Sequence, residues 1–176
     1  DSAPEANAAF SFATLAAAAW LTAEVVAGGP ILSLGEQFFV DSLNVFLVAL
    51  TAFVGFTTAL FSRPYMGDER EKGRMTPARL RLYHSMYQAF MFTMLLALTT
   101  NNLGILWIAV ELTTLVSVFL VAFHNRDTSL EAAWKFLVLG SLGLAFALLG
   151  TVLLFASGRG LLGEGMEGLN WTRLVA

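Results

Sequence analysis

The residues able to do chemistry in this sequence are few. In Leu103–Phe123, LGILWIAVELTTLVSVFLVAF, one carboxylate, Glu111, stands alone in an apolar run long enough to cross a bilayer. At ~1.5 Å per helical residue it would lie ~12 Å from one end of that run and ~18 Å from the other, close to mid-membrane. A charge at that depth costs at least ~2.5–3.5 kcal/mol, so an acid kept there is expected to have a partner, a cavity or a task. Proton transfer is the chemistry it offers. Removing a carboxyl from water favours its neutral form and a nearby cation favours its ionised form, the two levers a proton carrier needs. Thr114, on the same helix face as Gly104, Trp107, Ile108 and Val118, is the hydroxyl expected to share a water with it. The competing reading is a neutral packing group hydrogen-bonded between helices.

Lys135, in SLEAAWKFLVLG, is the one lysine inside an apolar run. Glu131 stands four residues earlier, so the two can pair along one helix face. The alternative is snorkelling, with the stem in lipid and the ammonium at the headgroups. Lys135 would lie ~7.5 Å inside its helix and Glu111 ~18 Å from the same membrane face, so a depth gap of ~10 Å argues against direct contact. His84 and His124 both fall at that face. Together they suggest weakly an axial pair for haem, and His84 alone a proton relay at the inner surface, since histidine titrates near neutrality. Asp41, in FFVDSLN, reads as a helix cap. Glu24 reads as interfacial.

These side chains need membrane helices to position them. The chain has 57% hydrophobic and 13% charged residues, against about a quarter charged in soluble domains. Since ~20 apolar residues span the hydrocarbon core, five spans are expected: residues 8–27, 38–61, 82–99, 103–123 and 130–156. The fold class is therefore all-α, a polytopic membrane protein read as one domain over residues 1–176. The absence of cysteine excludes disulfides, iron–sulfur clusters and thiolate-held metals. No nucleotide-binding glycine loop and no nucleic-acid surface is expected. The first run, AAFSFATLAAAAWLTAEVV, has no basic leader and reads as a span, not a signal peptide.

Charge sets the expected orientation. Ser62–Arg81 carries Arg63, Arg70, Lys72, Arg74, Arg79 and Arg81, and the next connection on that side carries Arg126. Basic connections stay in the cytoplasm, which makes 62–81 an inner loop and 157–176 an outer tail, weakly amphipathic through Leu169, Trp171 and Val175. The first span then starts at the inner face close to Asp1, which fits best with a further helix upstream. Gly28-Gly29-Pro30 should end the first helix, and Thr128-Ser-Leu-Glu131 has the form of a capping box opening the fifth. Gly140, Gly143, Ala147 and Gly150 form a small-residue stripe suited to close helix approach.

The order FFVDSLNVFLVAL, RPYM, NNLGILWIAVELTTLVSVFLVAF and SLEAAWKFLVLGSLGLAFALLGTVLLF resembles the antiporter-like membrane subunits of respiratory complex I, Mrp-type sodium/proton antiporters and membrane-bound hydrogenases. The wording is most like that of hydrogenase-4 component F and its formate hydrogenlyase relatives. The resemblance runs from Phe38 to about Phe155.

It implies that Glu111, in WIAVEL, belongs to a chain of ionisable groups that carries protons, and that Lys135, in AAWKF, tunes that route. It also implies a redox-driven complex in an inner, prokaryotic membrane, with membrane and peripheral redox subunits as partners and no flavin, cluster or nickel in this chain. Family members continue through a broken helix with another lysine and a second inverted repeat, so the resemblance makes the chain an N-terminal portion. The rival expectations are a non-conducting scaffold for a peripheral redox enzyme, a haem-carrying subunit, and a sodium/proton antiporter subunit.

Overall fold

The structure, a computed structural model, describes residues 2–73, 75–123, 127–162 and 166–175, with the side chains of 159–162, 166 and 167 excepted. Five long helices carry it: α1 Ala3–Gly28, α2 Ser42–Glu71, α3 Pro77–Thr99, α4 Leu103–Ala122 and α5 Asp127–Leu162. A two-stranded hairpin, β1 Ile31–Ser33 with β2 Phe38–Val40, joins α1 to α2. A 3-10 turn over Met166–Leu169 and a short α6, Trp171–Leu174, follow α5.

The helix boundaries have local causes. Gly29, at φ 86°, caps α1 where the glycine pair was expected to stop it. Asp41 stands just ahead of α2 and accepts from the backbone N–H groups of Leu43 and Asn44, while Asn44 Oδ1 accepts from Asp41 N. That reciprocal capping box confirms the expected role of Asp41. Gly73, at φ 69°, follows α2 in the left-handed conformation that closes many helices. Thr76 caps α3 ahead of Pro77, and Asn102 Oδ1 caps α4 by accepting from Gly104 N and Ile105 N.

Two boundaries differ from expectation. The basic stretch 62–81 is largely helical: α2 runs through Pro64 to Glu71, and α3 starts at Pro77. Charge had suggested a loop, but Met, Glu and Arg are good helix formers. The extension also buries Met66 against Met75 and Leu80. At ~1.5 Å per residue α2 is ~45 Å long and outreaches a ~30 Å hydrocarbon core. Helix α5 begins at Asp127, so Thr128 lies inside its first turn instead of ahead of it, and the helix continues past Ala156 to Leu162.

Four helices, α1, α2, α4 and α5, are long and apolar enough to cross a membrane among the described residues. The third expected span falls in α3, a helix whose first half is polar with Arg81, His84, Ser85 and Gln88. Two of its polar side chains, Gln88 and Tyr87, find partners on neighbouring helices. Gln88 Nε2 donates to Asn7 Oδ1 at 2.7 Å and Ser11 Oγ at 2.9 Å in α1, and the Tyr87 hydroxyl donates to the Gly55 carbonyl in α2. Small residues line the α1–α2–α3 core: Ala18, Ala52 and Ala59 are buried there. Helix α4 packs on the other side of α3, and α5 packs on α4. The apolar side chains of α5 remain largely uncovered.

All five long helices are antiparallel to their chain neighbours. One end of the bundle gathers Arg63, Arg70, Lys72, Arg79 and Arg81. The other is closed by the hairpin, the α3–α4 corner and the tail.

Candidate functional site at the α4–α5 seam

Helices α4 and α5 meet along three rungs. Nearest the closed end, Trp107 Nε1 donates to the Leu144 carbonyl at 2.7 Å. One turn on, Ser141 Oγ donates to Glu111 Oε1 across a long 3.4 Å. Next, the Thr114 methyl lies 3.2 Å from where a Cβ on Gly140 would stand, so the glycine permits the close approach. Trp107, Glu111 and Thr114 follow i, i+4, i+7 spacing, which sets them on one face of α4.

Glu111 is half-buried, and its second oxygen, Oε2, is shielded without a hydrogen-bond partner among the described residues. An unpaired buried acceptor costs ~1–3 kcal/mol. The carboxyl is thus held on one oxygen and, among the described residues, unsatisfied on the other.

The other expected residues take different positions. Thr114 Oγ1 donates to the Val110 carbonyl of its own helix. The hydroxyl that bonds the carboxyl directly is that of Ser141. Lys135 Nζ pairs with Glu131 Oε1, and both side chains are about two-thirds exposed, 68% and 65%. Six helical residues, ~9 Å of rise, separate Lys135 from Ser141, so Lys135 does not touch Glu111. His84 is buried with both ring nitrogens unpartnered among the described residues, but it lines a groove between α3 and α1. Helix α3 stands between that groove and the seam. His124 lies outside the described residues. Among the described residues no three His, Asp or Glu side chains converge to hold a metal.

The seam coincides with what known proteins share. The family described as NADH:quinone oxidoreductase/Mrp antiporter, TM, matches residues 100–162, the whole of α4 and α5. A hydrogenase-4 component F homolog from Methylacidiphilum infernorum is 48% identical over 142 residues. Subunit N of NADH-quinone oxidoreductase is 30% identical over 152 residues in Herminiimonas arsenicoxydans and 28% over 151 in Polaromonas naphthalenivorans. The chain belongs to the antiporter-like membrane subunit family.

The alignments cover 81%, 84% and 85% of this antiporter-like chain but 30%, 30% and 29% of those relatives, so it spans about a third of their length. Glu111, Ser141, Lys135 and Glu131 all fall inside the family match.

Proposed function

We propose that this chain is part of a proton-translocating, antiporter-like subunit of a redox-driven membrane complex, with Glu111 as its intramembrane proton carrier. The observation that carries the reading is the Glu111 carboxyl, half-buried in an apolar seam with one oxygen bonded to Ser141 and the other unpaired among the described residues. A serine hydroxyl can donate to a carboxylate oxygen and equally to the carbonyl oxygen of the neutral acid. Ser141 therefore supports the acid before and after proton loss, while Oε2 is the oxygen that exchanges.

Lys135 acts on this site at a distance. Two charges ~10 Å apart at an effective dielectric of ~20 interact by ~1.7 kcal/mol, and exposure and the pairing with Glu131 reduce that further. Lys135 therefore biases the acid without controlling it. A movement that frees Lys135 from Glu131 strengthens the bias toward ionisation, and re-pairing weakens it. That gives a distant redox event a handle on the proton. His84, one helix interface away, serves as a relay at the inner surface only through intervening groups. The subunit sits in the inner membrane of a prokaryotic cell with its basic end inward, beside other membrane subunits and a peripheral redox module of hydrogenase or NADH-dehydrogenase type.

The test is Glu111→Gln in the assembled complex, reconstituted in vesicles. Electron transfer and assembly should persist while proton translocation is lost. Undiminished translocation sinks the reading and leaves the non-conducting scaffold in its place. Lys135→Ala should lower the rate without abolishing it; an unchanged rate returns Lys135 to snorkelling. Exchanging sodium for potassium in the same vesicles separates proton from sodium coupling.

A further inference from the structure

A second built feature lies on the opposite side of α3. Between α1 and α3 runs a groove of about 750 Å³ whose character changes along its length. Toward the basic end it is lined by Arg81, His84, Ser85 and Asn7; further in, by Phe10, Met91, Phe92 and Leu95. The spacing explains the change. Arg81, His84, Ser85 and Gln88 follow the i, i+3, i+4, i+7 pattern of one helix face, and Met91, Phe92 and Leu95 continue that face in apolar form.

The polar end holds groups that the protein leaves unused. His84 and Asn7 are 4% and 2% exposed, and both His84 ring nitrogens and Asn7 Nδ2 have no hydrogen-bond partner among the described residues. Arg81 is exposed and makes no ion pair among the described residues. Glu5, the carboxylate in the first turn of α1, pairs with Arg63 of α2. A cation and several polar atoms without protein acceptors therefore face one end of a groove whose far end is hydrocarbon.

We propose that the α1–α3 groove binds one anionic phospholipid, with its phosphate at Arg81 beside His84 and Asn7 and an acyl chain along Phe10, Met91, Phe92 and Leu95. The dimensions fit. From Arg81 to Leu95 is ~21 Å of helix, while one leaflet contributes ~15 Å of hydrocarbon, which leaves room for a headgroup at the arginine. Guanidinium groups hold phosphate through paired hydrogen bonds, and basic pockets between membrane helices select anionic lipids. A neutral amphiphile would leave Arg81 without a counter-charge.

The experiment uses the full protein, with its membrane partners, in phosphatidylcholine vesicles doped with a minor share of phosphatidylglycerol. Lipid retained after detergent extraction is read by native mass spectrometry. The wild type should keep phosphatidylglycerol above its share of the mixture. Arg81→Ala should lower that retention about five-fold, the worth of one basic side chain at an anionic surface, and Arg81→Lys should restore part of it. Ala6→Trp, which fills the groove wall, should remove the bound lipid altogether. Lys72→Ala, at the same end but outside the groove, should leave retention at the parental level. The proposal fails if the wild type shows no enrichment, as when protein fills the groove. It fails equally if Arg81→Ala and Ala6→Trp keep the lipid, or if Lys72→Ala lowers retention as much as Arg81→Ala.

Discussion

Ser141 gives Glu111 a neighbour that suits both of its protonation states, and the strength of that contact sets what its loss should do. At 3.4 Å the hydrogen bond is long, so its net worth belongs at the modest end of the usual ~0.5–1.5 kcal/mol. Ser141→Ala should therefore slow proton translocation about two- to four-fold without stopping it, whereas Glu111→Gln should stop it. Vesicle acidification rates of the two variants compare them directly, and a Ser141→Ala rate equal to the parent's removes the serine from the mechanism. Glu111, Lys135 and Glu131 were legible in the sequence because an ionisable group in an apolar run is conspicuous in itself. Ser141 was not, because a serine in a membrane helix is ordinary. Thr114 was favoured instead because helix-face geometry alone does not reveal that its hydroxyl bonds the preceding turn.

At the scale of elements, the packing of α2 on α3 turns on Gly55. Its carbonyl accepts from the Tyr87 hydroxyl, and a Cβ there would overlap Met91 Cε and stand 2.7 Å from Met91 Sδ. The methionine's end is flexible, so Gly55→Ala should cost little. Gly55→Leu has nowhere to go and should destabilise by ~1–3 kcal/mol, the usual cost of overpacking. Thermal unfolding of the purified protein checks this; equal midpoints for parent and Gly55→Leu would show that the helices can part freely there. The same region shows where element boundaries escape a reading by charge. Helix propensity carries α2 through DERE, and Met66 anchors it against Met75 and Leu80, a contact that exists only once α2 and α3 fold side by side. Polarity likewise made α3 a weak span by composition, although Gln88 and Tyr87 find their partners in α1 and α2.

Across the whole molecule, the spans and their order were legible, but the way they lie together was not. Hydropathy is a local property, and it records that a segment prefers lipid; once there, lipid and neighbouring helix are almost equally apolar, so burial no longer chooses partners. Polar contacts make the choice instead, and the tail is the clearest case. It folds back onto the α3–α4 corner. Trp171 N donates to the Asn101 carbonyl at 2.7 Å, Asn101 Nδ2 donates to Thr172 Oγ1 at 2.8 Å, and Asn102 Nδ2 donates to Asn170 Oδ1 at 3.2 Å. Asn170 is fully buried, at 0% exposure. Beside this knot, Arg173 pairs with Glu36 of the hairpin at 2.8 Å, with side chains 38% and 42% exposed. The two contacts should differ in weight. Asn170→Ala removes a buried partner and should lower stability by ~1–3 kcal/mol, whereas Glu36→Gln breaks a half-exposed ion pair and should cost under ~1 kcal/mol, less still at high salt. Unfolding midpoints at low and high salt separate them. If Asn170→Ala is silent while Glu36→Gln unfolds the closed end, the ion pair and not the asparagine knot holds the tail against α4, and the seam around Glu111 owes its rigidity to a contact that salt can loosen.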